Sequence, residues 1–156
     1  MAHERITHIS FDDPALVARN PDLEHERRVA IFDLLEDNFF KLKNGQDGPY
    51  RVVLSLTDRG INLSVRQLDD QFICDIKVSM TPFRRIIKDY FLICESYYEA
   101  IRSATPDRIE TIDMARRAMH NEGSELLQEK LEEDVSVDQE TARRLFTLVS
   151  VLQMRG

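Results

Sequence analysis

Three short segments in which hydrophobic and polar residues alternate follow one another between residues 52 and 78. Their hydrophobic positions are Val52, Leu54 and Leu56, then Ile61, Leu63 and Val65, then Phe72, Cys74, Ile76 and Val78. A period of two residues gives a β-strand one hydrophobic and one polar face. Turn-forming residues at 58–60 and 68–71 separate the segments, and Gly60 can adopt positive φ. The pattern therefore predicts a three-strand antiparallel meander with one buried face.

Helix-start signals flank this meander. A capping side chain opens each predicted helix, and in three of them a proline follows it: Asn20, Thr81, Thr105 and Asp138. Hydrophobic residues then recur every three or four positions. The helix that starts at Thr81 runs for about six turns to Ser103, and we expect its hydrophobic stripe to cover the meander.

The segment 106–132 permits two interpretations. Gly123 can end one helix while Ser124 caps the next, or a single helix can continue with a local weakness. The adjacent glycine and capping serine favour the break. A short extended piece at Val135 and Val137 precedes the last helix.

The predicted fold class is α+β. The meander packs against four to five amphipathic helices, and Ile6–Phe11 is compatible with an extra N-terminal edge strand. A length of 156 residues with ordinary hydrophobic content suits one globular domain over 1–156.

Composition restricts the classes of partner. The net charge of −7 lacks the basic footprint of nucleic-acid binders and gains nothing from an anionic membrane surface, so neither partner is predicted. The longest strongly hydrophobic stretch, 145–152, is far shorter than a membrane span, and the N-terminus shows no secretory signal. We therefore expect a cytoplasmic location. Cys74 and Cys94 are too few for a disulfide framework and are expected to be reduced core thiols.

No cofactor is predicted, because glycine-rich phosphate loops, nucleophile elbows and Cys-x-x-Cys pairs are absent from the sequence. Glu110, Asp113 and His120 lie near one helical stripe, which makes a metal site conceivable. Arg117 shares that stripe and would repel a cation, so no metal site is predicted.

Four pairs of adjacent arginines occur in the chain, namely Arg27-Arg28, Arg84-Arg85, Arg116-Arg117 and Arg143-Arg144. Guanidinium groups that converge can hold a phosphate or carboxylate, and Arg84, Arg85, Arg116 and Arg117 are the candidates for this role. The alternative is ordinary ion pairing, because each pair has a carboxylate four residues away on the same helix.

The segment His120-Asn121-Glu122-Gly123-Ser124 combines a base, an amide, a carboxylate and a hydroxyl. His120 and Glu122 are therefore the candidate catalytic residues. Neighbours on one helical turn point in different directions, however, and the same residues are typical of a helix end followed by a helix start.

Several stretches resemble a known protein family over essentially the whole chain. They include His25-Glu26-Arg27, Gly48-Pro49-Tyr50, the run Thr81-Pro82-Phe83-Arg84-Arg85-Ile86-Ile87-Lys88-Asp89-Tyr90-Phe91, His120-Asn121-Glu122-Gly123-Ser124 and Thr141-Ala142-Arg143-Arg144-Leu145-Phe146. They are similar, in the same order, to the uncharacterised bacterial family UPF0262. The resemblance implies a bacterial protein of about this length and transfers no activity, cofactor or partner.

Two functional hypotheses follow. The first is a non-enzymatic interaction or regulatory protein whose partner is another protein or a second copy of the chain. Its motivation is the lack of catalytic motifs, together with hydrophobic residues on two helix faces, Phe91 and Tyr98 on one and Phe146 and Val149 on the other. The second is an enzyme or small-molecule binder that holds an anion with the paired arginines, which requires those arginines to line one pocket.

Overall fold

The computed structural model of the protein describes residues 3–13 and 20–154. Its strands are β1 (Ile6–Phe11), β2 (Phe40–Leu42), β3 (Tyr50–Leu56), β4 (Gly60–Arg66), β5 (Phe72–Ser79) and β6 (Val135–Val137). Its helices are α1 (Pro21–Glu36), α2 (Arg84–Ser103), α3 (Pro106–Leu131) and α4 (Gln139–Gln153). The predicted α+β class is confirmed, with four α-helices in the described part of the chain.

The main sheet has the strand order β1-β3-β4-β5. β3, β4 and β5 form the predicted antiparallel meander, with Leu54 opposite Leu63 and Leu63 opposite Ile76. The N-terminal edge strand is also present, but β1 runs parallel to β3 and makes the sheet mixed. Because α1 and β2 lie between β1 and β3 in the chain, the connection is long enough for a parallel crossover.

Gly60 does not use the positive φ that a glycine permits in the first turn. Gly60 is the first residue of β4, and a Cβ there would lie 2.0 Å from the Val78 carbonyl oxygen. The glycine is needed for close approach of two strands. The positive φ, 71°, occurs instead at Asp70 in the second turn.

A second, two-stranded sheet pairs β2 with β6 in antiparallel orientation. Its hydrophobic residues Phe40, Leu42, Val135 and Val137 are buried. The extended piece at 135–137 is therefore confirmed as a strand, and its partner β2 is an element that periodicity did not indicate.

Three helix starts have the predicted side-chain caps. Asn20 accepts from the backbone N–H of Asp22 and Leu23, and Asp138 accepts from that of Thr141. Thr105 caps α3 in the same way. The fourth differs, because Thr81–Phe83 form a short 3₁₀ turn and α2 begins only at Arg84, without a side-chain cap.

The helix with the most buried residues is α4 and not α2. Nine residues of α4 are buried, whereas α2 buries only Ile87, Tyr90 and Ala100. α1 and α3 both pack against α4, and α2 packs mainly against α3. The predicted stripe of α2 is buried only in part, since Ile101 is 50% exposed. The α2 stripe was expected to cover the meander, whereas the main contact of α2 is with α3.

The predicted break at Gly123 is also wrong, because α3 continues through it as one helix. A Cβ at Gly123 would lie 2.1 Å from Cζ of the buried Phe146 ring. The glycine thus permits the close approach of α3 and α4. Within the described ranges, no helix is long and hydrophobic enough to span a membrane.

Candidate functional site

Two of the four arginine pairs meet at one cavity between α1, α3 and α4, with a volume of about 360 Å³. α3 contributes Arg116 and Arg117, and α4 contributes Arg143 and Arg144. The wall also includes Glu26, Asp33, Tyr90, His120 and Thr147. We call this space the arginine cavity.

A repeated sequence pattern places these side chains. α3 carries Asp113-x-x-Arg116-Arg117-x-x-His120, and α4 carries Glu140-x-x-Arg143-Arg144-x-x-Thr147. Positions i, i+3, i+4 and i+7 share one face of a helix, so each pattern presents an acid, two arginines and a polar residue on the same side. The two faces meet, since His120 Nε2 lies 2.7 Å from Thr147 Oγ1.

The carboxylate of each pattern contacts its own arginines. The Asp113 carboxylate lies 2.7 Å from Arg116 and 2.7 Å from Arg117. The Glu140 carboxylate lies 2.9 Å from Arg144 and 3.8 Å from Arg143. The ion pairing expected from the sequence is therefore present. Neither acid lines the cavity, so both hold the guanidinium groups from outside it.

Two guanidinium N–H groups remain without an acceptor in the part of the chain described. The buried Nε atoms of Arg143 and Arg144 make no hydrogen bond, and their nearest carboxylate oxygens lie 3.8 Å away. That distance is too long for a hydrogen bond. A buried donor without a partner is costly, so an acceptor that reached these groups would be favourable.

His120 joins the two patterns through its ring. Its centroid lies 5.4 Å from that of Tyr90 and 5.2 Å from that of Phe146. The Thr147 hydroxyl donates to the Arg143 carbonyl, so the His120 Nε2–H donates to Thr147 Oγ1. Burial, together with the neighbouring arginines, lowers the pKa of His120 to about 4. His120 is therefore neutral at pH 7 and fixes Thr147 in place.

The structure brings together only some of the predicted site residues. Arg116, Arg117 and His120 line the arginine cavity, whereas Glu122 is exposed and does not. Arg84 and Arg85 are exposed on α2, and Arg85 lies 3.8 Å from Asp89. They do not join the other arginines, because α2 turns those positions away from α4. Arg143 and Arg144 were not candidates, although their repeated pattern is a signal that identifies them.

The hydrophobic faces predicted for protein contacts are largely covered. Phe146 and Val149 are buried because α1 and α3 enclose α4. The prediction that these two residues form exposed hydrophobic surface is therefore wrong. Phe91 is half-buried, and the Tyr98 hydroxyl donates to the Glu26 carboxylate. The large hydrophobic side chains that are exposed include Phe32, Phe72 and Met114.

A metal site and a reactive thiol both have little support in the described residues. They contain no group of three or more His, Cys, Asp or Glu side chains able to hold a metal ion. Cys74 and Cys94 are free and half-buried, and burial raises the pKa of the Cys94 thiol to about 11. Cys94 is thus protonated at pH 7 and a poor nucleophile.

Comparison with known proteins gives one consistent result. Residues 3–155 match the Uncharacterised protein family (UPF0262). A UPF0262 protein of Agrobacterium fabrum is 53% identical over 97% of this chain and 96% of its own length. One from Rhodospirillum rubrum is 52% identical, covering 98% and 94%. One from Nitrobacter hamburgensis is 49% identical, covering 99% and 94%.

No solved structure matches the chain. The family match and these relatives extend over both arginine patterns and over all the elements that form the arginine cavity. The resemblance inferred from the sequence is confirmed, and the chain belongs to the uncharacterised bacterial family UPF0262.

Proposed function

We propose that the protein binds a small molecule carrying a phosphate or carboxylate group in the arginine cavity. The observation that carries the proposal is that four arginines, from two helices, line one cavity. Arginine presents a planar fork of donors that matches these anions. A volume of about 360 Å³ is also within the range of small-molecule sites.

Charge in the wall supports an anionic ligand. Among the described residues, four arginines and two carboxylates line the cavity, the carboxylates being those of Glu26 and Asp33. Asp33 lies 3.8 Å from Arg144, and Glu26 accepts a hydrogen bond from Tyr98. The wall therefore has a surplus of positive charge, and two of its arginines have a buried Nε–H without an acceptor in the described protein.

Three observations favour binding over catalysis. His120 is neutral, and its Nε2–H is used by Thr147. Ser124, the nearest serine, is buried and donates its hydroxyl proton to the His120 carbonyl oxygen. The unprotonated His120 Nδ1 lies 3.4 Å from the Ser124 oxygen, but burial makes His120 a weak base, and Ser124 is only 1% exposed and thus poorly accessible to a substrate. A ligand-binding role without catalysis agrees with the predicted regulatory protein, for which a protein partner and a cytoplasmic location stay predictions.

The test is isothermal titration with inorganic phosphate and with acetate. Arg117→Gln removes a cavity guanidinium that is 68% exposed, so the fold should tolerate the change. Arg85→Gln is the matched control. Arg85 pairs with Asp89 as Arg117 pairs with Asp113, in each case four residues away on the same helix, but Arg85 lies outside the cavity. One charge-assisted hydrogen bond corresponds to about a 10- to 100-fold change in affinity.

We expect Arg117→Gln to weaken anion binding by about that factor and Arg85→Gln to leave it unchanged. Equal losses in the two variants would show non-specific attraction to surface charge. Absence of binding to the unaltered protein at millimolar anion would refute the proposal directly.

A further inference from the structure

A second cavity of about 200 Å³ adjoins the arginine cavity between α1, α2 and α4. Glu26, Tyr90 and Thr147 line both spaces, so the two cavities share a wall. We call the second space the aromatic chamber. A ligand longer than one cavity would have to pass these three shared side chains to reach the other.

The inner surface of the chamber is rich in aromatic rings. Tyr90, Phe91 and Tyr98 all contribute, and α2 places them at i, i+1 and i+8. The Tyr98 hydroxyl is held by Glu26, which fixes this ring at the boundary between the two cavities. The faces of such rings attract organic cations as well as neutral hydrophobic groups.

The charge of the chamber is opposite to that of the arginine cavity. Four carboxylates line it, those of Asp22, Glu26, Glu95 and Glu99. Among the residues that the structure describes, Arg102 is the arginine in its wall, and it lies 3.8 Å from Asp22. A second negative group of a ligand would be repelled here, whereas a positive group would be attracted.

Ser150 supplies an unused polar atom at the chamber. Its side chain is 1% exposed, and its hydroxyl oxygen has no hydrogen-bond partner in the described part of the chain. A buried hydroxyl without a partner costs free energy, so a partner from a ligand would be favourable. The oxygen can accept an N–H, and the surrounding carboxylates favour a donor that carries positive charge.

We infer that the ligand is zwitterionic, with its phosphate or carboxylate in the arginine cavity and an ammonium group in the aromatic chamber. Ser150 and the carboxylates receive the ammonium N–H groups, and the rings of Tyr90, Phe91 and Tyr98 surround its carbon chain. This inference rests on the proposed anion-binding function and adds the chemical class of the ligand.

The test compares pairs of probes that differ only at one end. ω-Aminoalkyl phosphates with two, three and four methylene groups are titrated beside n-alkyl phosphates in which a methyl group replaces the ammonium. At the chain length that fits, we expect the amine to bind about tenfold more tightly than its alkyl counterpart. Inorganic phosphate reports the arginine cavity alone.

Two variants assign the preference to the chamber. Ser150→Ala removes a hydroxyl that has no partner, so stability should be kept. Glu99→Gln removes an exposed carboxylate of the chamber. Each should reduce the preference for the amine several-fold without changing the affinity for alkyl phosphates. Arg117→Gln should weaken both probe series equally.

The outcomes separate the inference from the proposed function. If alkyl phosphates bind as tightly as the amines at every length, the zwitterion is refuted while anion binding stands. If neither probe series nor inorganic phosphate binds, the proposed function fails and the inference fails with it.

Discussion

Lowering the pH from 7.5 to 4.5 should destabilise the protein through one side chain, His120. In the folded protein the pKa of His120 is about 4, compared with 6.5 for a free histidine, because burial disfavours the charged ring. Between these two values the unfolded chain binds a proton that the folded protein does not. The stabilising effect of the neutral ring is therefore complete above pH 6.5 and is lost as the pH falls towards 4.

The magnitude follows from the difference between the two pKa values. One pKa unit corresponds to about 1.4 kcal/mol of differential interaction. The free energy of unfolding should thus fall by roughly 2–3 kcal/mol at pH 4.5 through this residue alone. The free energy of unfolding of a typical domain is roughly 5–15 kcal/mol, so this loss is a large share of it.

The measurement is urea denaturation of the unaltered protein and of His120→Gln at steps between pH 7.5 and 4.5. Glutamine keeps an N–H donor for Thr147 but does not titrate. Acidic groups such as Glu24, whose pKa is lowered by its hydrogen bond to Arg27, titrate in both proteins and cancel in the difference. Parallel pH curves for the two proteins would refute the reasoning, as would a nuclear magnetic resonance titration of His120 with a midpoint near 6.5.

Two further predictions concern packing around the same ring cluster. Gly123→Ala should lower the free energy of unfolding by about 1 kcal/mol or more, because overpacking against Phe146 outweighs the better helix propensity of alanine. Urea denaturation measures this, and a stabilised variant would contradict it; adding Phe146→Leu should make the alanine less harmful. Tyr90→Ala should cost about 3–5 kcal/mol, since Tyr90 is buried against His120 and Phe146. An unchanged melting temperature would show that this part of α2 does not contact the core.

The features that were predictable from the sequence depend on neighbouring residues. The meander follows from alternation along β3, β4 and β5 and from the turns between them. The caps at Asn20 and Asp138 act within three residues of their own position. Such features need no knowledge of the distant chain, so local physical chemistry identifies them.

The features that were missed depend on distant contacts. The pairing of β2 with β6 joins segments more than 90 residues apart, and three residues are too few for a periodic signal. Gly123 has the local signature of a helix end, and only the Phe146 ring explains its place within α3. Phe146 and Val149 of α4 were interpreted as exposed hydrophobic surface, but α1 and α3 pack against α4 and both side chains are buried.

The candidate site also has one part that the sequence predicts and one part that depends on tertiary packing. Adjacent arginines were visible as pairs, but which pairs meet depends on the packing of α3 against α4. Arg84 and Arg85 have the same local chemistry as Arg116 and Arg117 and lie elsewhere. The shared pattern of an acid, two arginines and a polar residue on α3 and α4 is a stronger signal than an arginine pair alone.

The contact of Gly123 with Phe146 has a mechanical consequence for the arginine cavity. The backbone of α3 at Gly123 lies against the outer end of the buried Phe146 ring of α4, one helical turn from His120. At such a contact the two helices cannot come closer without displacing the ring. Gly123 therefore sets the distance between α3 and α4, and with it the width of the arginine cavity that these two helices line.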